Sequence, residues 1–108
     1  MKRGEVWTLR DDKYASKARP VVILQSNNVN QFDSVIICLF TTYDSSAITT
    51  RVFIPADTEN GLMKDSYVMT EKIVTVDKRE LGGRIGFLHS EKLDEISKQL
   101  MIVLDIKP

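Results

Sequence analysis

Arg19 stands directly before Pro20 at the head of the β-branched run Val21-Val22-Ile23-Leu24. A guanidinium presents several donors in a planar fork that matches phosphate oxygens, and it stays charged at every relevant pH. Proline biases the residue before it toward extended backbone, so Arg19 projects from a strand edge in a restricted direction. Taken alone, the residue leaves a second reading open, because most arginines merely pair with a surface carboxylate. Thr41 closes the apolar run Val35-Ile36-Ile37-Cys38-Leu39-Phe40, where the chain emerges into the polar stretch Tyr43-Asp44-Ser45-Ser46. Its hydroxyl could donate to a phosphate oxygen, and the plain alternative is a β-branched strand residue. Thr42 can exchange roles with it, since a strand reverses side-chain direction at each step. Glu71 lies in the polar triplet Thr70-Glu71-Lys72, which interrupts an apolar stretch. It is the carboxylate candidate for accepting a proton, provided its pKa is raised from about 4.3; a solvated turn at Glu71 and Lys72 is as simple an account.

Other reactive residue types lead less far. His89 is the only histidine and directly precedes an expected helix cap, with no second histidine to share acid–base work. Cys38 lies inside an apolar run, where a buried small hydrophobe is expected rather than a reactive thiol. One histidine and no CxxC pair exclude a zinc site of the usual ligand spacing. Trp7 is read as packing, in the core or between subunits.

Stepping outward, short strand-like segments separated by polar or glycine-bearing turns must position these groups. Strands are expected at Glu5–Leu9, from Pro20 to Leu24, at Ser34–Phe40 and at Thr50–Ile54. Two further strand pieces, Ser66–Met69 and Ile73–Val76, flank the polar triplet, and after a turn at Gly82-Gly83 Arg84–Leu88 closes the sheet. Near-continuous apolar character predicts burial of Ser34–Phe40 on both faces. Residues Arg10 to Ala18, Ser26 to Gln31 and Asp57 to Gly61 read as loops or turns. The period then changes: Leu93, Ile96, Leu100, Val103 and Leu104 line one face of a helix with Ser90 as its N-cap. The fold class that follows is mainly β with a C-terminal helix, a small β-barrel built as a single domain over residues 1–108.

Composition narrows the class further. Formal net charge is zero, with 15 basic and 15 acidic residues, which argues against coating nucleic acid through bulk electrostatics, so any such site is local. No apolar run approaches the roughly 20 residues of a membrane span. Met1-Lys2-Arg3-Gly4-Glu5 passes straight into a strand without a signal-peptide pattern, so a cytoplasmic location is expected.

Arg3-Gly4-Glu5-Val6-Trp7, followed after a loop by Arg19-Pro20-Val21-Val22-Ile23-Leu24, resembles the opening signature of the MazF/PemK toxins. The strand ending Leu39-Phe40-Thr41-Thr42, the stretch Asp65 to Lys78, and Arg84-Ile85-Gly86-Phe87-Leu88 with the terminal helix extend the likeness over essentially the whole chain. The first loop carries Tyr14-Ala15-Ser16-Lys17 where many members have Gly-Ser-Glu-Gln, and Met69 stands where the PemK branch has an arginine. The resemblance implies an SH3-like barrel of the MazF/PemK/CcdB type, forming a homodimer with a groove across both subunits for single-stranded RNA. It implies a type II toxin, neutralised by a cognate MazE/PemI-like antitoxin whose flexible tail occupies that groove. It also implies endoribonuclease cleavage without metal or other cofactor, leaving a 2′,3′-cyclic phosphate (or 3′-phosphate) and a 5′-hydroxyl. Arg19, Thr41 and Glu71 then become the catalytic candidates, with Tyr14, Ser16, Lys17, Thr42 and Lys72 as RNA-binding candidates. The alternative from another class is a non-enzymatic CcdB-like toxin that binds DNA gyrase, although such toxins end in a Trp-containing tail and this chain ends Leu104-Asp105-Ile106-Lys107-Pro108. A plain SH3-like binding module ranks last, since aromatics make up only 7% of the chain.

Overall fold

The computed structural model describes residues 1–10 and 19–108. Its strands are β1 (Glu5–Leu9), β2 (Arg19–Ile23), β3 (Ser34–Thr41), β4 (Val52–Ile54), β5 (Ser66–Asp77) and β6 (Leu81–Phe87), followed by helix α1 (Ser90–Val103). They form one antiparallel sheet in the order β4-β5-β3-β2-β1-β6, curled into the barrel-like, mainly-β architecture with a terminal helix that the sequence predicts.

Alternation along the strands produces two apolar clusters, one on each face of the sheet. Val6, Val22, Cys38, Val52, Ile54 and Val68 point to one face, where Ile96 of α1 covers them and Leu93 and Leu100 pack alongside. Val21, Ile23, Val35 and Ile37 point to the other, where Leu81 and the partly buried Trp7, Leu9 and Leu39 enclose them. β3 lies between β2 and β5, and its Val35, Ile37 and Cys38 are buried on alternate faces, while Ile36 near its start is exposed.

Three sequence expectations need correction. The pieces expected at Ser66–Met69 and Ile73–Val76 belong to one strand: adjacent Cys38 and Leu39 of β3 pair with Ile73 and Met69 of β5, so Thr70, Glu71 and Lys72 form a bulge without ending the strand. Their polarity marked the bulge, not a turn. Gly82 and Gly83 lie inside β6, and the reversal before it is a 3₁₀ turn at Lys78–Glu80, capped by the Asp77 carboxylate accepting from the Arg79 amide at 2.8 Å. The Arg79 guanidinium beside Asp77 draws that carboxyl down to about 2. Glycine suits β6 because a Cβ at Gly82 would collide with the Thr8 hydroxyl, which accepts from the Gly83 amide at 3.0 Å as the sheet curls. At α1 the N-cap is His89 rather than Ser90, and it caps without a side-chain hydrogen bond.

Candidate functional site

Arg19 is the exposed first residue of β2, and Thr41 is the half-buried last residue of β3. The two strands pair with Val21 opposite Leu39 and Ile23 opposite Ile37. Continued to the strand ends, that register sets Arg19 opposite Thr41. Directly paired residues on one sheet face hold their Cβ atoms about 5 Å apart. Thr41 in turn pairs with Tyr67 on β5, and Tyr67 with Phe53 on β4. A guanidinium, an alcohol, a phenol and a phenyl ring therefore stand in one row across four strands. The Phe53 and Tyr67 ring centroids are 5.2 Å apart at 55°.

The turn after β3 is pinned to this row. The Tyr43 amide donates to Thr41 Oγ1 at 3.1 Å, a bond that uses a lone pair of the hydroxyl and leaves its proton to be donated elsewhere. Ser45, almost wholly buried, donates to the Tyr43 carbonyl at 3.0 Å. The Tyr67 hydroxyl donates to Asp44 Oδ1 at 3.3 Å, and the Ser46 amide donates to the same oxygen at 3.0 Å. These bonds keep the Asp44 carboxyl below its usual range, the Ser46 amide foremost. Burial first, and the Asp44 charge second, push the Tyr67 phenol up.

Arg51, just before β4, closes the network. Its Nε and Nη2 donate to Glu71 Oε1 and Oε2 at 3.2 and 2.6 Å, and its Nη1 donates to Ser45 Oγ at 3.0 Å. The bidentate contact holds the Glu71 carboxyl below its usual range, chiefly through the Arg51 hydrogen bonds. This corrects the condition attached to Glu71 as proton acceptor: the bulge delivers it to a cation rather than to an apolar pocket, so it is an anchored, weakly basic carboxylate. Next to it in the bulge, Thr70 is fully buried and donates to the Thr50 carbonyl at 2.6 Å.

The remaining candidates sit as follows. Thr42 and Lys72 are exposed beside Thr41 and Glu71 respectively. Tyr14, Ser16 and Lys17 lie outside the described residues. Cys38 is buried and unpaired by disulfide, and burial pushes its thiol up to about 12, as a structural cysteine requires. His89 lies at the other end of β6, edge-on to Phe87 at 5.6 Å and paired with Glu59. Trp7 donates to Glu5 Oε1 at 3.1 Å and packs on the second cluster. Sequence reasoning missed Arg51, Tyr67 and Phe53. The available signal was the unusual placing of charge at Arg51 and at Glu71 beside apolar strand segments, which in retrospect requires a mutual partner.

Comparison with known proteins agrees with this architecture. The family model of the PemK-like, MazF-like toxin of type II toxin-antitoxin systems matches residues 2–104, and the chain belongs to that family. It is 32% identical over 107 residues to the probable endoribonuclease MazF of Mycolicibacterium smegmatis, covering 98% of each chain. Among solved structures, a mycobacterial endoribonuclease in complex with its cognate antitoxin superposes with a TM-score of 0.84 at 27% identity, covering 100% of this chain and 98% of that one. The MazE–MazF structure from Deinococcus radiodurans has a TM-score of 0.80 at 17% identity over 99% of this chain and 97% of the other, a likeness of fold alone.

Proposed function

We propose that this chain is the toxin of a type II toxin–antitoxin pair, a metal-independent endoribonuclease acting on single-stranded RNA in the cytoplasm. It works as one domain over residues 1–108, as a homodimer with a groove shared by two copies, and a cognate antitoxin silences it by occupying that groove. The observation that carries the reading is the β2–β3 register, which when continued to the strand ends sets Arg19 opposite Thr41, in a chain whose full-length relatives bear endoribonuclease names. No such relative supports the gyrase-binding alternative.

The chemistry follows from RNA itself. The 2′-hydroxyl is tethered next to its own phosphodiester, so in-line attack is intramolecular and most of its entropic cost is already met by the substrate. The 2′-oxygen forms a bond to phosphorus, the bond from phosphorus to the 5′-oxygen breaks, and a cyclic phosphate and a 5′-hydroxyl result. One proton leaves the 2′-oxygen and one reaches the 5′-oxygen. What a protein must add is stabilisation of charge on the phosphorane oxygens. Arg19 supplies it as a fork of permanent cationic donors, and Thr41 as a hydroxyl donor fixed by the Tyr43 amide. Thr42 and Lys72 flank these groups as backbone contacts, with Tyr14, Ser16 and Lys17 of the first loop adding further RNA contacts. Glu71 acts through Arg51 and Ser45, holding the turn that carries Tyr43.

The purified protein, incubated with an unstructured RNA oligonucleotide and excess chelator, is expected to release fragments with 5′-hydroxyl ends. Arg19→Ala is expected to lower the rate at least 100-fold, in line with loss of a transition-state donor of this kind, in a protein that still unfolds cooperatively. Intact RNA with the wild-type protein, or a fully active Arg19→Ala variant, overturns the assignment.

A further inference from the structure

We propose that Tyr43, Tyr67 and Asp44 form a nucleobase subsite beside the scissile phosphate, which stacks the base next to the cleaved bond and selects one that offers an amino group. This rests on the endoribonuclease reading and extends it from the phosphate to the base. Tyr43 is the most exposed aromatic side chain among the described residues, at 76%, yet its backbone is held on both sides, by Thr41 Oγ1 at its amide and by Ser45 at its carbonyl. A large, solvated ring on a fixed backbone, one residue beyond Thr42, has no folding purpose in the packing around it. Tyr67 is the direct cross-strand partner of Thr41, so its side chain leaves the sheet beside the hydroxyl assigned to the phosphate, with the two Cβ atoms about 5 Å apart. Phe53, 42% exposed on edge strand β4, packs on the far side of Tyr67 and extends the apolar surface outward.

Base stacking on aromatic rings is how proteins hold unpaired nucleotides, because every base has a π-face and an unpaired one is free to leave its neighbours. The row runs from a cation through an alcohol to rings, the order in which a nucleotide presents phosphate and then base. Asp44 adds selection. An ionised carboxylate only accepts hydrogen bonds, so it favours the exocyclic amino group of adenine or cytosine over the carbonyl at the corresponding place in guanine or uracil. Its orientation is fixed by the Tyr67 hydroxyl and the Ser46 amide.

Three experiments test this. In the first, binding of an oligonucleotide carrying a 2′-deoxy residue at the cleavage position, which cannot be cut, is followed by the fluorescence of Tyr43→Trp. Quenching on titration is expected; a signal unchanged while gel shift shows the oligonucleotide bound overturns stacking at this residue. In the second, Tyr43→Ala is expected to raise KM about tenfold with little change in kcat, and Tyr43→Phe to restore it. Equal kinetics for wild type and Tyr43→Ala also overturn the proposal. Sequencing of product 5′ ends from a random RNA pool is expected to show adenine or cytosine beside the cut in wild type and a relaxed choice in Asp44→Asn. A wild-type pattern that favours uracil or guanine there, or one unaltered in Asp44→Asn, removes Asp44 from the subsite. Failure of the wild-type enzyme to cut any RNA would instead remove the endoribonuclease reading itself, which separates the two failures.

Discussion

Arg51 uses its three guanidinium nitrogens on two partners, and each partner sits on a different segment: Glu71 on the β5 bulge and Ser45 in the turn after β3. Its side chain is 16% exposed and that of Glu71 37%, so water screens the carboxylate end and the pair alone contributes little to stability. The bond to buried Ser45 matters more. Arg51→Ala leaves that hydroxyl without a donor and is expected to lower stability by about 1 kcal/mol, seen as a fall of about 4–6 °C in Tm, with a larger loss in activity because the Tyr43 carbonyl loses its brace. Glu71→Gln keeps one hydrogen bond from Arg51 through its amide oxygen and loses the other, and a fall in kcat of about tenfold or less is expected, with the rate profile above neutral pH unaltered. Were Glu71 the proton acceptor, its removal would erase a general-base contribution of about 100-fold or more and abolish an ionisation in the profile. The direction of the pH effect follows from the lowered Glu71 carboxyl. A carboxylate depressed by folding stabilises fully at neutral pH, above its unfolded value, and that contribution is lost as pH falls through the folded one. Melts taken on acidification should therefore lose the difference between wild type and Glu71→Gln only below the ordinary carboxylate range.

At the level of elements, the fold was legible wherever a local pattern decided the outcome. Glu5–Leu9 as a strand and Leu93, Ile96 and Leu100 on the helix face toward the sheet follow from period alone, whereas Leu104, expected on the same stripe, is the exposed C-cap beyond the helix. What escaped was non-local. The triplet Thr70-Glu71-Lys72 looks like a break in one dimension, and only the register of β3 against β5 turns it into a bulge that keeps the strand whole. Likewise Gly82-Gly83 has turn composition, but the reversal is already made at Lys78–Glu80 and the glycines serve the close approach of Thr8. Arg19 and Thr41 became candidates through the family resemblance, supported by proline's bias and the end of an apolar run, whereas Tyr67 did not, because a cross-strand partner leaves no trace in its own neighbourhood, and Arg51 left only a charge beside an apolar strand. The bulge has a testable consequence. Fully buried Thr70 donates to the Thr50 carbonyl and so ties β5 to the residues ahead of β4. Thr70→Val keeps shape and removes that donor, leaving a carbonyl short of a partner, at an expected cost of about 1–2 kcal/mol. Amide hydrogen exchange at residues 45–51 should quicken while exchange in β2 and β3 stays the same. Uniform quickening across the sheet would mean that Thr70 supports the global fold rather than this loop.

For the whole molecule, charge balance fixes how RNA can be held. Equal numbers of acidic and basic residues, 15 each, give no net field to gather a polyanion. Acidic groups moreover stand inside the site, with Asp44 bonded to Tyr67 and Glu71 to Arg51, so the cation of Arg51 is largely cancelled where RNA passes. Among the described residues, Arg19 and Lys72 are the exposed cations proposed to meet phosphates. Affinity for single-stranded nucleic acid falls with salt by roughly 0.7 in log K per log salt for each phosphate neutralised. A site that engages two or three phosphates in this way should show a slope of about −1.4 to −2, a loss of roughly 20- to 60-fold in affinity for an eightfold rise in salt, and what remains rests on stacking against Tyr43 and Tyr67, which is not screened. Titrating the uncleavable oligonucleotide against the wild-type protein from 50 to 400 mM salt measures the slope directly. A value near −5 would require a continuous basic groove and a hold through the backbone alone, contrary to a short site that reads a base. Tyr43→Ala sharpens the test: it should lower affinity at every salt concentration and leave the slope as it is, because a ring releases no counterions.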